Sequence, residues 1–174
     1  MRILKVILII IAVFAVIILG GILVLPSDAH VERSTIISAP KAEVHATLNS
    51  FQEFNEWSPW AKIDPKNTKY SFEGPESGVG SKMSWTSTND EVGNGSQEII
   101  ESNDSMIKVE MFFDGSPGPA YAAYLIEEEG NATKVTWSFD AEFSGFAKYF
   151  GMMIDGLLGP QYEEGLANLK EHME

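Results

Sequence analysis

Between Val6 and Leu25 the chain carries no charged side chain, and nearly every residue there is Ile, Leu, Val, Phe or Ala. A hydrocarbon core about 30 Å thick is crossed by roughly 20 apolar residues in a helix. Inside that core the backbone must satisfy its own hydrogen bonds, so a run of this kind has to be helical. The pattern predicts one transmembrane helix over residues 4–25, within an N-terminal anchor of residues 1–28. Arg2, Lys5 and the amino terminus are the positive charges before it, and Pro26, Ser27 and Asp28 follow it. Basic flanks stay cytoplasmic. The expectation is a single-pass protein of the cell membrane, N-terminus inside, with residues 30–174 on the extracytoplasmic (periplasmic or extracellular) side. The competing reading is a cleaved secretory signal, because Ser27-Asp28-Ala29 is a passable small-x-small site. Signal h-regions run about 7–15 residues, and this run is longer, which favours an uncleaved signal-anchor. Both readings export the remainder.

That remainder, His30 to Glu174, has the usual size of one domain with one core. Of the 12 basic residues of the chain, Arg2 and Lys5 precede it, and of the 25 acidic residues only Asp28 does, leaving a net charge of −14. Such a surface repels phosphate backbones, so nucleic acid is excluded as a partner. The chain has no cysteine, which removes disulfides, thiolate metal ligands and a Cys nucleophile.

The pattern of the domain starts and ends helical, with strands between. Val31–Ser38 is β-branched and half alternating, a first strand. Ser38-Ala39-Pro40 reads as a helix start, and Val44, Leu48 and Phe51 recur at helical spacing. A second short helix carries Phe54 and Trp57 and ends before Pro59. Ser58 to Pro65 reads as a loop or wall with Trp60 and Ile63 inward. The period then switches to two, predicting strands at Lys69–Glu73, Gly80–Ser87, Gly95–Glu101, Met106–Phe113, Ala120–Glu128 and Thr133–Phe143. In the last of these Val135, Trp137, Phe139, Ala141 and Phe143 share one dry face. The final 30 residues return to helical spacing, with Phe146, Phe150, Met153 and Leu157 as one stripe and Tyr162, Leu166, Leu169 and Met173 as the next. Gly159-Pro160 separates two helices or kinks one. The predicted class is α+β, a curved antiparallel sheet wrapped around a long C-terminal helix, which buries all these faces at once.

That element order, with several local strings, resembles the START-like helix-grip superfamily, specifically its SRPBCC or polyketide cyclase/dehydrase group. The strings are Ile37-Ser38-Ala39-Pro40, Trp57-Ser58-Pro59-Trp60 followed by Asp64-Pro65, and Gly74-Pro75-Glu76-Ser77-Gly78-Val79-Gly80 with Trp85. Thr133-Lys134-Val135-Thr136-Trp137 and the Gly159-Pro160 step into Glu164-Gly165-Leu166-Ala167-Asn168-Leu169-Lys170 complete the set. The resemblance spans about residues 31–173 and is specific for fold rather than function. It implies an elongated cavity between sheet and C-terminal helix, usually holding an apolar ligand.

Catalytic parts are scarce in the sequence. His30, His45 and His172 are not near carboxylates at zinc or triad spacing. The carboxylate runs fall on wet faces or turns, and an acid would need an apolar pocket to raise its pKa. Asp114 and Asp155 are the two acids placed nearest to one. Gly74, Gly78 and Gly80 lie between strands with no helix N-terminus after them, so they form a hairpin turn rather than a phosphate loop. The remaining signal is apolar. Trp57, Trp60, Trp85, Met111, Phe113, Tyr124, Trp137, Phe139, Met153 and Leu157 are predicted to line one interior. Aromatics give rigid apolar walls and Met adapts to irregular shapes. A ligand burying ~300 Å² of apolar area there gains on the order of 7 kcal/mol before ordering losses, enough for micromolar binding. The sequence therefore points to a membrane-anchored domain that binds a hydrophobic small molecule or lipid without catalysis, cofactor or metal. A cyclase- or dehydratase-like enzyme using the same cavity is the first alternative. A structural or interaction domain with a filled cavity is the second.

Overall fold

The computed structural model describes residues 2–116 and 118–174, excluding the side chain of Arg2. Helix α1 (Arg2–Val24) leads directly into the first strand. At about 1.5 Å per residue it is long enough to cross a membrane, and most of its large side chains are exposed. Then follow β1 (Asp28–Ile37), α2 (Lys41–Leu48), α3 (Phe51–Trp57) and α4 (Pro59–Ile63). Six strands come next: β2 (Lys69–Glu73), β3 (Lys82–Thr86), β4 (Asn94–Asn103), β5 (Met106–Phe113), β6 (Ala120–Glu129) and β7 (Ala132–Glu142). The chain ends in α5 (Ala147–Gly151) and α6 (Ile154–Met173).

The seven strands form one antiparallel sheet in the order β1-β7-β6-β5-β4-β3-β2. The first strand is thereby carried back beside the last. One row of residues crosses the whole sheet: Ala29, Ala141, Ala120, Met111, Gln97, Met83 and Phe72 stand side by side. The alternation predicted for β7 holds for most of the strand, with Val135, Trp137 and Phe139 buried and Asp140 and Glu142 exposed, but Thr136 on the opposite face is buried as well. A bulge between Ile99 and Glu101 breaks the β4–β5 register and adds local twist to the sheet. The β2–β3 connection is a hairpin: Gly74, Gly78 and Gly80 have φ of 79°, 81° and 87°, a region that side-chain-bearing residues avoid.

Three sequence expectations need correction. Ser58–Pro65 is not a loop, because Pro59 starts helix α4 at its first position, where its missing N–H is harmless. Of the two readings of Gly159-Pro160, the division fails and the single helix holds. The break falls at Met152-Met153, and Pro160 sits inside α6. That earlier break resets the helical phase by one residue. Ile154 and Leu158 therefore turn inward, while Phe146, Phe150, Met153 and Leu157 are exposed. Beyond the break the second stripe holds its phase, and Tyr162, Leu166 and Leu169 are buried.

Candidate functional site

A cavity of ≈ 330 Å³ lies between the sheet, α3, α4 and α6. Its inner wall is an aromatic cluster centred on Trp137. The indole stacks on Tyr162 with ring centroids 3.9 Å apart and on Tyr124 at 5.4 Å. Phe54, Trp57 and Trp60 meet it edge-on at 6.2, 5.5 and 6.0 Å. Two glycines give rings of the cavity wall their room. Gly165 of α6 packs on the Trp137 edge, where an added Cβ would come 2.7 Å from Cζ3, and Gly95 of β4 leaves room for the Trp85 ring. Trp85 in turn donates its indole N–H to the Val92 carbonyl at 3.3 Å, which ties the β3–β4 loop over the opening.

Seven residues expected from the sequence line this cavity: Trp60, Trp85, Met111, Phe113, Tyr124, Trp137 and Phe139. Trp57 does not. It is fully buried one layer behind, in edge contact with Phe54 and Trp137. Met153 and Leu157 lie outside on the surface, because the break before Ile154 turns them away, and Leu158 takes the position at the cavity.

The polar part of the lining was missed. Gln97 is only 5% exposed and lines the cavity between Met83 and Met111. Its place in β4, in phase with Gly95 and buried Ile99, was the signal available: a polar residue at an inward position of the alternation. Asn55 Oδ1 and Trp137 Nε1 are buried without a hydrogen-bond partner, and both residues line the cavity. Unpaired buried polar atoms are unfavourable, so a polar group on a guest is one way to satisfy them. Tyr124 and Tyr162 are buried, and burial pushes both hydroxyls up. Each stays protonated and can donate. The lining holds three carboxylates, Asp90, Glu91 and Asp114, all exposed at the rim, and among its residues there is no Lys, Arg or His.

Of the two acids considered from sequence, Asp114 lies at the rim of the cavity, while Asp155 and the histidines sit elsewhere. Asp155 binds Arg33 Nη1 at 2.8 Å on the surface, and this hydrogen bond lowers its pKa. His30 and His172 do meet carboxylates, contrary to their sequence spacing, since β1–β7 pairing and the packing of α6 bring distant residues together. His30 Nδ1 lies 2.7 Å from Asp140 Oδ1, and His172 Nε2 lies 3.3 Å from Glu53 Oε2. His45 meets the Asn103 carbonyl at 3.0 Å. All three contacts are exposed and none of these histidines lines the cavity. Among the described residues no group of three or more His, Asp or Glu could hold a metal ion.

A sheet closed by a C-terminal helix over an aromatic cavity defines a helix-grip protein. The chain belongs to the family described as polyketide cyclase / dehydrase and lipid transport, whose model matches residues 28–174. Solved structures share the fold. The Aha1 dimer from Colwellia psychrerythraea is 12% identical, with TM-score 0.60, over 83% of this chain and 96% of that one. The major latex-like protein 151 of Panax ginseng is 15% identical, with TM-score 0.54, over 85% and 99%. The di-domain ARO/CYC protein BexL of the BE-7585A biosynthetic pathway is 12% identical, with TM-score 0.61, over 85% of this chain and 50% of that one. No curated protein sequence matches the chain.

Proposed function

We propose that the chain binds a neutral, mainly apolar small molecule or lipid, non-covalently, in the cavity between sheet and α6. The observation that carries this is the pairing of aromatic walls with Gln97, a buried amide facing a space that contains no cation. The volume falls in the range of small-molecule sites. An anionic head would meet no positive partner inside and three carboxylates at the rim, so a free fatty acid is disfavoured. A hydroxyl or carbonyl suits Gln97 and the two protonated tyrosines. The family description, which includes lipid transport, supports the same reading.

Helix α1 serves as an uncleaved anchor that holds this domain on the extracytoplasmic face of a membrane, with Arg2 and Lys5 on the cytoplasmic side. Its length, its lack of charge and the exposure of its side chains support that placement. An alkaline-phosphatase fusion at the C-terminus is expected to be active, and an inactive fusion would reverse the orientation.

For binding, the full chain is extracted in mild detergent and examined by native mass spectrometry for a co-purifying neutral molecule. Titration with sterols, diacylglycerols and polycyclic aromatic ketones should change its tryptophan fluorescence, because Trp60, Trp85 and Trp137 line the cavity. No retained molecule and no response to any of the three classes would defeat the proposal.

A second reading, cyclase- or dehydratase-like catalysis in the same cavity, is favoured by the buried Tyr124 and Tyr162 hydroxyls, which could polarise a ketone. It lacks a base inside, since the lining carboxylates are exposed at the rim. Conversion of a bound poly-ketone by wild type but not by Tyr124→Phe would establish it.

A further inference from the structure

Five large apolar side chains are uncovered on one short stretch: Phe146, Phe150, Met152, Met153 and Leu157, exposed by 67%, 49%, 61%, 61% and 51%. They form a single patch across α5 and the first turn of α6. From Phe143 to Ile154 the only charged residue is Lys148. The rest of the domain is strongly acidic, so this stretch differs from its surroundings in both charge and polarity.

The patch is continuous with α1. Tyr149 donates its hydroxyl hydrogen to the Ile18 carbonyl at 2.8 Å, and Lys148 Nζ donates to the Leu25 carbonyl at 3.0 Å. Ile18 and Leu25 are about 10 Å apart along the helix axis, so α5 lies beside the last two turns of the apolar helix. Gly21 forms the notch for Tyr149, because an added Cβ would fall on the phenol oxygen. Just beyond, the Phe143 N–H bonds the Ser27 carbonyl at 2.7 Å. Patch and helix end are thus held at one level.

The cavity mouth is at that level too. On the row running from Ala29 to Phe72, the anchor attaches on the side of Asp28 and Glu142. Trp85, Asn94, Phe113 and Asp114, all lining residues, fall on the same side of the row. The hairpin at Val79 falls on the opposite side.

We infer that the Phe146–Leu157 patch inserts into the headgroup and upper acyl region of the lipid leaflet that α1 leaves, setting the cavity mouth at the membrane surface so that its guest enters from lipid rather than from water. This rests on the reading of α1 as a membrane anchor. The chemistry fits a bilayer surface. Aromatic and flexible apolar side chains lie flat in that zone, Tyr is at home there, and a lone Lys can reach its headgroups.

The chain has no cysteine, so single-cysteine variants can be labelled without background. The full chain carrying an NBD label at Val13→Cys, Met153→Cys, Leu157→Cys or Val79→Cys is reconstituted into phosphatidylcholine vesicles doped with nitroxide-labelled phosphatidylcholine. Val79 is 58% exposed on the far hairpin and reports on water. Strong quenching is expected at residue 13, clear but shallower quenching at residues 153 and 157, and only background at residue 79. Quenching at 153 and 157 no greater than at 79, while 13 stays quenched, overturns the inference and leaves the anchor intact. Absence of quenching at 13 overturns the anchor, and the inference falls with it. Oxidative cross-linking of unlabelled Met153→Cys into a dimer, with no quenching at 153, would assign the patch to a second copy of the chain instead.

Discussion

The indole of Trp137 and the phenol of Tyr162 lie face to face, with planes 17° from parallel and ring centroids 3.9 Å apart. The stack joins the middle of β7 to the middle of α6. It is one of the points where the closing helix is fastened to the sheet, and it is also a wall of the cavity. One turn further along α6, Gly165 fits over the same indole. Support and binding surface are therefore one set of atoms.

Tyr162 separates these two roles. Replacing it by Ala removes the stack and opens a void, an effect of about 3–5 kcal/mol for a buried ring. Tyr162→Phe keeps the ring and loses only a hydroxyl whose ionisation burial already suppresses, so its stability should stay within about 1 kcal/mol of wild type. Urea unfolding followed by tryptophan fluorescence checks both. A Phe variant as unstable as the Ala variant would show that the hydroxyl is a structural bond.

Gln97 is the test of what the cavity recognises. Gln97→Leu preserves shape but removes the buried amide. Affinity for guests with a hydroxyl or carbonyl should fall by about 1–3 kcal/mol, roughly 5- to 150-fold, while affinity for a pure hydrocarbon of similar size should hold or rise. Isothermal titration in detergent distinguishes the two. Equal losses for both guests would mean that Gln97 acts only through packing.

The sequence showed what depends on period. The two-residue alternation of β7 and the clean helical stripe from Tyr162 to Leu169 fixed which faces are dry, and with them most of the aromatic wall. Phase across an irregularity could not be read in this way. One residue of displacement at Met152-Met153 exchanged Met153 and Leu157 for Ile154 and Leu158. Trp57 was expected at the cavity because hydrophobicity places it inside without saying in which layer. Contacts between distant residues, such as Arg33 with Asp155 and Glu163 or His30 with Asp140, leave no local pattern at all. Gln97 was visible in phase, yet a run that mixes Gly95, Ser96, Gln97 and Glu98 masks the meaning of one inward amide.

The Arg33 contacts give a pH dependence with a definite sign. Its hydrogen bond first, and its charge second, hold the Asp155 carboxyl below the usual carboxylate range. A carboxyl whose pKa is lowered on folding adds stability that is complete above its unfolded value, about 4, and disappears as pH falls through the folded one. The Glu174 carboxyl behaves alike, accepting the Ser38 backbone N–H at 2.8 Å and facing Lys170. Stability should therefore decline on the acid side of about pH 4. Arg33→Met should move the Asp155 titration upward in carboxyl-detected NMR. An unmoved Asp155 would show that the pair is not populated in solution, as screening of exposed pairs allows.

Gly159 and Arg33 provide the sharpest check on how α6 meets β1. The guanidinium passes over Gly159 on its way to Asp155 and Glu163, at 2.8 and 2.7 Å, and a Cβ on residue 159 would fall on its Nη2 atom. Helix propensity alone favours Ala over Gly by about 1 kcal/mol inside a helix. In the Arg33→Ala background the space is empty, so Gly159→Ala should stabilise by up to about that amount. In the wild-type background the same substitution must displace the guanidinium from its two carboxylates, and the gain should vanish or reverse. The four proteins of this double-mutant cycle, compared by thermal unfolding in one buffer, measure the coupling directly. Additive behaviour would mean that the Arg33 fork does not rest on Gly159, and that the glycine serves the adjoining Pro160 instead.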